Sequence, residues 1–189
     1  FVLENRKDKG EVNLSYSVYY KDTLAVEKSL LGLVMDDCEY GKDAQFVSAS
    51  PVKDINDAYR LKSGKQLSTA DNCREQTFTF RTQEGKQFNL IVRAYNDGVA
   101  FRYGFPEADG QMHTIRTEHT EFAVPVNGKA WIHPYDWNER RKPSYEQYCR
   151  NEIDIRSECG HGRGWAFPML FNTNRVWMMI TEAHLDGSY

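Results

Sequence analysis

The residues of this chain best placed to do chemistry stand at its end, in RVWMMITEAHLDGSY. Arg175 to Ile180 reads as a buried β-strand. Along it Val176, Met178, Ile180 and Glu182 fall on one face by the period of two, so the Glu182 carboxylate projects where the apolar face runs out. From the residues alone a solvated strand end accounts for it. His184 follows two residues later, and a glutamate with a histidine is also a pair that can exchange protons with a free sugar.

The other polar candidates are spread along the chain. Acidic residues number 27, so the pairs Asp36-Asp37, Glu118 with Glu121, and Asp154 with Glu158 read most simply as solvated turns or edges. His161 sits among glycines in CGHGRG, a sequence that lets backbone approach a ligand and equally suits a flexible loop. Trp137, Tyr145 and Tyr148 can stack on sugar rings or fill a seam between domains, with packing beneath a loop as the alternative. Glu146, in SYEQY, can accept from sugar hydroxyls or stand as an ordinary surface glutamate. Arg140-Arg141-Lys142 is a solvated basic turn, too small for a nucleic-acid site. Cys38, Cys73, Cys149 and Cys159 form no C-x-x-C pair, which argues against zinc. Cys149 and Cys159 flank a polar stretch that a bridge would clip, and four free thiols remain the alternative.

These residues need elements to hold them. EVNLSYSVYY (11–20) alternates, with Val12, Leu14, Tyr16, Val18 and Tyr20 on one face, the mark of a half-buried strand. LLGLVM (30–35) is a second apolar run, and residues 36–74 are polar and irregular apart from strand hints at Phe46-Val47. EQTFTFRT alternates through Phe78 and Phe80, then EGK (84–86) turns. FNLIVRAYNDGVAFRYGFP reads as strand, turn, strand. Phe88, Leu90 and Val92 line one arm, and Val99, Phe101, Tyr103 and Phe105 the other, with Asp97-Gly98 supplying positive φ angles to a tight hairpin. HTIRTEHTEFAVP, AWIHP, WAFPMLF and RVWMMITEA complete a series of short strands, without an amphipathic helix of three turns. That pattern predicts an all-β, antiparallel sandwich in one domain over residues 1–189. One polar segment, 135–164, is long for a connection and is expected to be a functional or mobile loop.

Composition agrees with this reading. Eleven Tyr, ten Phe and four Trp favour strands. A net charge of -3 and a pI near 6.0 argue against nucleic acid as a partner, and no apolar run reaches the length of a membrane span. The first residue is Phe1 rather than Met, so a leader or targeting signal can have preceded it.

The order of RAYNDGVAFRY, EFAVP, AW and the closing ITEAHLDGSY resembles the N-terminal domain of glycoside hydrolase family 97 over essentially the whole chain. The resemblance implies a β-supersandwich akin to the galactose-mutarotase fold, set before a catalytic (β/α)8 barrel. That barrel needs about 250 residues of its own and is absent from this chain. The family acts on α-glycosides, inverting or retaining, requires calcium, and is typically exported to the periplasm or secreted. The resemblance implies that the catalytic carboxylates belong to the barrel and that none is in this chain. It makes Glu182, in the TEA segment, a Ca2+ ligand donated across to barrel glutamates. The partners it implies are an α-linked oligosaccharide and the chain's own barrel. The 135–164 loop, with Trp137, Tyr145, Glu146 and Tyr148, would then rim the substrate pocket. Two other classes fit the residues: a free-standing carbohydrate-binding module, and an aldose epimerase using Glu182 and His184.

Overall fold

In a computed structural model of the protein, residues 1–8, 11–106, 110–135, 147–160 and 164–183 are described. Every regular element among them is a strand, and every assigned strand pairing is antiparallel. By its contacts the chain divides into two units. The first comprises Phe1–Tyr20 and Glu27–Ala123, the second Lys21–Val26 and Val124–Tyr189.

In the first unit, β8 (Ser68–Arg81), β9 (Gln87–Ala94) and β10 (Val99–Gly104) form the spine of a sheet, with β6 (Gln45–Ala49) and β7 (Lys53–Arg60) both laid on β8. The alternation in β9 does what the sequence requires. Phe88, Leu90 and Val92 are buried, and the residues between them are less so. Phe88 stacks on Phe80 with centroids 5.5 Å apart and meets Tyr40 edge-on at 5.5 Å. A second aromatic group joins Tyr16 to Phe101 at 5.1 Å and to Phe1 at 5.4 Å. Such pairs bury large areas in preferred geometries. The Tyr16 hydroxyl donates to the Glu121 carbonyl at 2.7 Å.

The β9–β10 hairpin is present, but its turn works differently from the sequence expectation. Tyr95 N–H donates to Gly98 O at 2.8 Å, closing a four-residue loop, and neither Asp97 nor Gly98 has positive φ. Four-residue loops are usually built on type I turns, which need no left-handed residue. The left-handed glycine lies instead at the preceding turn, where Gly85 has φ +89° between Thr82 and Lys86.

Elsewhere the strands depart from the periodic reading. β2 (Glu11–Tyr20) pairs with β1 (Val2–Asp8) and buries Leu14 and Tyr16, yet Ser15 is buried too and Tyr20 is exposed. LLGLVM is interrupted: β3 (Thr23–Leu30) ends and β4 (Leu33–Met35) begins on either side of Leu31-Gly32. There Gly41, at φ +102°, passes so close to Leu31 O that a Cβ on it would lie 2.3 Å away. The polar stretch 36–74 is not irregular; it holds β5 (Glu39–Tyr40), β6, β7 and the first half of β8. EFAVP forms no strand. β11 stops at Ile115–Glu118, and residues 119–123 bond to Gly32, Leu30 and Glu27 through single backbone contacts.

The second unit is a sheet in the order β13 (Arg150–Asp154), β12 (Lys129–Pro134), β14 (Trp165–Asn172), β15 (Trp177–Ile180). β13 lies inside the segment expected to be loop. Register between β12 and β14 slips around Pro168, where Trp131 pairs with Leu170 but His133 with Ala166. A proline has no N–H for the ladder, so a bulge at its position costs little pairing. Ala130, Ile132, Phe171 and Ile180 make the buried cluster, joined by Met169, Met178, Ile153 and Ile155.

Candidate functional site

β15 is shorter than RVWMMITEA suggested. It stops at Ile180, and it is buried on one face only: Ile180 is in the core while Trp177 and Met179 are exposed. Glu182 follows two residues beyond the strand, with its side chain exposed. The Thr181 hydroxyl donates to the Glu182 carbonyl at 3.3 Å. One carboxylate supplies at most two of the six to eight oxygens that Ca2+ takes. Among the described residues no group of metal-type side chains includes Glu182.

Of the four residues placed on the sugar-binding loop, Trp137, Tyr145 and Glu146 lie outside the described residues, as do His161 and His184. Tyr148 is described and is 94% exposed, so its ring packs under none of the described residues. Nearby in sequence, the Trp165 indole N–H donates to Ser157 O at 3.1 Å, and the Arg150 guanidinium lies 5.4 Å above its ring. Trp165 also lines, with Glu158, Cys159, Gly160 and Gly164, a shallow open recess of about 400 Å³. Cys149 and Cys159 are unbridged. All four cysteines are free thiols, with Cys149 exposed and Cys159 donating to Gly164 O at 3.1 Å.

The structure assembles one polar group that spacing did not reveal. Asp36 and Asp37, read as a solvated turn, receive His113 from far along the chain. Its Nδ1 lies 3.3 Å from Asp36 Oδ1 and 3.4 Å from Asp37 Oδ2. Ligand atoms of the three lie within 4.8 Å of one another. Lys86 also forms a close ion pair with Asp37, and that ammonium holds the Asp37 carboxyl below its usual range. Beside it, burial pushes the Cys38 thiol up; its sulfur lies 3.4 Å from Thr82 Oγ1 and 3.3 Å from a Glu84 oxygen. A lysine already compensates Asp37, so the group is a cluster of mutual contacts among Asp36, Asp37, His113 and Lys86. It fastens the end of β4 to residue 114, whose carbonyl accepts from Asp36 N–H at 3.1 Å.

A second polar group lies along β8 and β9. Arg93 Nε donates to Glu75 at 2.7 Å, directly across the ladder, and Nη1 reaches Asp71 at 3.3 Å. The hydrogen bond to Glu75 raises the Arg93 pKa further, so the guanidinium is fixed as a cation. The three side chains organise one surface of the sheet.

Comparison with known proteins gives the family. Residues 1–189 match Glycosyl-hydrolase 97 N-terminal, and the chain belongs to that family. It is 28% identical over 164 residues to a "Probable retaining alpha-galactosidase" of Streptomyces bingchenggensis (strain BCW-1), covering 87% of this chain and 24% of that protein. The crystal structure of a beta-arabinopyranosidase superposes with a TM-score of 0.87 at 26% identity, over 98% of this chain and 30% of that one. A family 97 enzyme from Pseudoalteromonas sp. strain K8, solved with acarbose, superposes at 0.71 with 22% identity, over 90% of this chain and 24% of its own. The fold is therefore the antiparallel β-supersandwich of these N-terminal domains. The chain spans about a quarter to a third of the relatives it matches.

Proposed function

We propose that this chain is the non-catalytic N-terminal part of a calcium-dependent α-glycosidase, an α-glucosidase or α-galactosidase exported to the periplasm or beyond. The observation that carries the reading is the family match over residues 1–189, together with the glycosidase names of the relatives. The acid and base or nucleophile of glycoside hydrolysis stand several ångströms apart across a sugar. In this reading both come from a (β/α)8 barrel elsewhere in the full protein, and residues 1–189 alone hydrolyse nothing. Glu182 donates one carboxylate to a Ca2+ ion whose other protein ligands are barrel glutamates. Its exposure just past a short, core-anchored strand supports that role. The segment holding Trp137, Tyr145, Glu146 and Tyr148 rims the substrate pocket, and the exposed ring of Tyr148 is suited to cover a sugar face. A free-standing binding module or an epimerase gains nothing from these relatives.

The test uses the full-length protein and a panel of nitrophenyl α- and β-glycosides. Hydrolysis of an α-glycoside that stops on chelation and returns with added Ca2+ is the expected result. Glu182→Gln should shift the calcium titration to far higher concentration while leaving the melting temperature of the apo protein in place. An unchanged titration curve would reduce Glu182 to a strand end. Activity confined to β-glycosides would overturn the substrate class.

A further inference from the structure

The turn between β4 and β5 gathers metal-type side chains from distant parts of the first unit. β4 is the middle strand of a three-stranded sheet, between β11 and β5. Its last residue, Met35, pairs with Ile115, and Met35 N–H donates to Cys38 O at 2.9 Å, closing the turn over Asp36 and Asp37. Neighbouring residues of an extended strand point to opposite sides. Here the chain bends after Met35, and both carboxylates reach one imidazole, that of His113, which lies 77 residues beyond Asp36. The bond from Asp36 N–H to Thr114 O, at 3.1 Å, holds the two segments side by side. The three side chains are 22 to 33% exposed, so a small ion can reach them while the backbone beneath them stays fixed.

The spacing of the donor atoms is that of metal ligands. His113 Nδ1 stands 3.3 Å from Asp36 Oδ1 and 3.4 Å from Asp37 Oδ2, and donor atoms of all three lie within 4.8 Å of one another. An N–H···O hydrogen bond usually spans about 2.7–3.2 Å, so both contacts are long for one. Zn–N and Zn–O bonds of about 2.0–2.2 Å, set in a tetrahedron, put neighbouring donors about 3.3–3.6 Å apart. We infer that Asp36, Asp37 and His113 form a site for a divalent transition-metal ion of the Zn2+ class, with Lys86 as the competing cation. The donors select the ion. Imidazole suits Zn2+ and its neighbours, whereas Ca2+ takes six to eight oxygens, and this set brings a ring nitrogen and two carboxylates. Two carboxylates and a neutral imidazole balance the two charges of the ion, and three protein donors leave a fourth position for water. Lys86 holds the same Asp37 oxygen that faces His113, so the ion displaces its ammonium. Glu84, on which the Lys86 charge also acts, gives that ammonium another partner. A bound ion staples the β4–β5 turn to the residues that lead into β11. The inference stands on this cluster alone and is separate from Glu182 and from glycosidase activity.

The test is a Zn2+ titration of the full-length protein, stripped of metal and then held in excess Ca2+, against a chromophoric chelator. The protein should take up a Zn2+ ion that Ca2+ does not displace. Loss of a partner that only orients a ligand costs about 10–100-fold in metal affinity, so His113→Gln, which removes a ligand, should weaken binding at least ~100-fold. Lys86→Ala should tighten binding about threefold, the worth of a solvated ion pair no longer competing. Co2+ in place of Zn2+ should show the ligand-field bands of a four-coordinate ion without the charge-transfer band of a bound thiolate. A thiolate band would put the ion on Cys38 or Cys149 and overturn the donor set. Equal binding by His113→Gln, displacement of Zn2+ by Ca2+, or no uptake by the unaltered protein also overturns the inference. If His113→Gln does not fold, Lys86→Ala decides: tighter binding supports the site, and unchanged binding refutes it.

Discussion

The sheet around β9 and the sheet around β14 solve the same problem to different degrees. In β9 one face is buried by Phe88, Leu90 and Val92, and the other carries Gln87, Asn89, Ile91 and Arg93. Its polar members are satisfied in place: Asn89 accepts from the Thr79 hydroxyl at 2.9 Å, and Arg93 holds Glu75. In β14 and β15 both faces are apolar, and the second shows Trp177 and Met179 to solvent. The first sheet thus closes its buried face with this chain's own residues, while the second presents a surface suited to further contact. The difference bears on function, because the residues proposed to serve the glycosidase, Glu182 above all, hang from the second.

The sharpest way to break this comparison is to hollow the first unit. Phe88 is fully buried between Phe80 and Tyr40. Phe88→Ala should cost about 3–5 kcal/mol, read from denaturant unfolding, and a loss below about 1 kcal/mol would mean the site collapses freely. Ile180→Ala comes next, at about 2–3 kcal/mol, because Ile180 keeps 8% exposure and belongs to a smaller cluster. On the proposed Ca2+ role of Glu182, it should also move the calcium titration of the full-length protein, since it loosens the strand that leads to Glu182.

Tyr16→Phe removes one donor and leaves the Glu121 carbonyl without it, for about 1 kcal/mol. Burial raises the Tyr16 pKa above that of a free phenol. A raised pKa means the fold favours the protonated form. This contribution is therefore complete below the unfolded value of about 10 and is lost as pH climbs beyond it. Stability of Tyr16→Phe should consequently fall less than wild type above pH ~10. The smallest effect belongs to the surface ion pair. Lys86→Ala should cost about 0.5 kcal/mol or less, since the partners are solvated and screened by salt. Asp37 has a depressed pKa, so its contribution holds above the unfolded value near 4 and fades as pH drops through the folded one. The wild-type advantage over Lys86→Ala should vanish below that range and in high salt.

Much of this could be read along the chain wherever a strand has one wet face and one dry one. The alternation of Phe88, Leu90 and Val92, and the hairpin to Val99, are decided by neighbours two residues apart, so local order records them. β7 was illegible for the opposite reason: KDINDAYR is exposed on nearly every side, and no apolar stripe marks a ribbon held by backbone ladder bonds to β8. β13 hid in a charged segment in the same way, since only its pairing with β12 defines it. EFAVP carried a strand-like sequence but found single backbone partners in place of a ladder.

The sequence alone determined the strand-rich class, the one-faced sheet of the first unit, the family, and the position of Glu182 past the last apolar run. Only the tertiary structure decided that His113 and Lys86 close on Asp36 and Asp37, that Arg93 is clamped by Glu75 and Asp71, and that Trp131 and Trp177 meet on an uncovered face. The physical reason is separation. Periodicity is a property of residues a few positions apart, whereas ion pairs and stacked rings join residues whose spacing along the chain carries no signal until the strands have been paired.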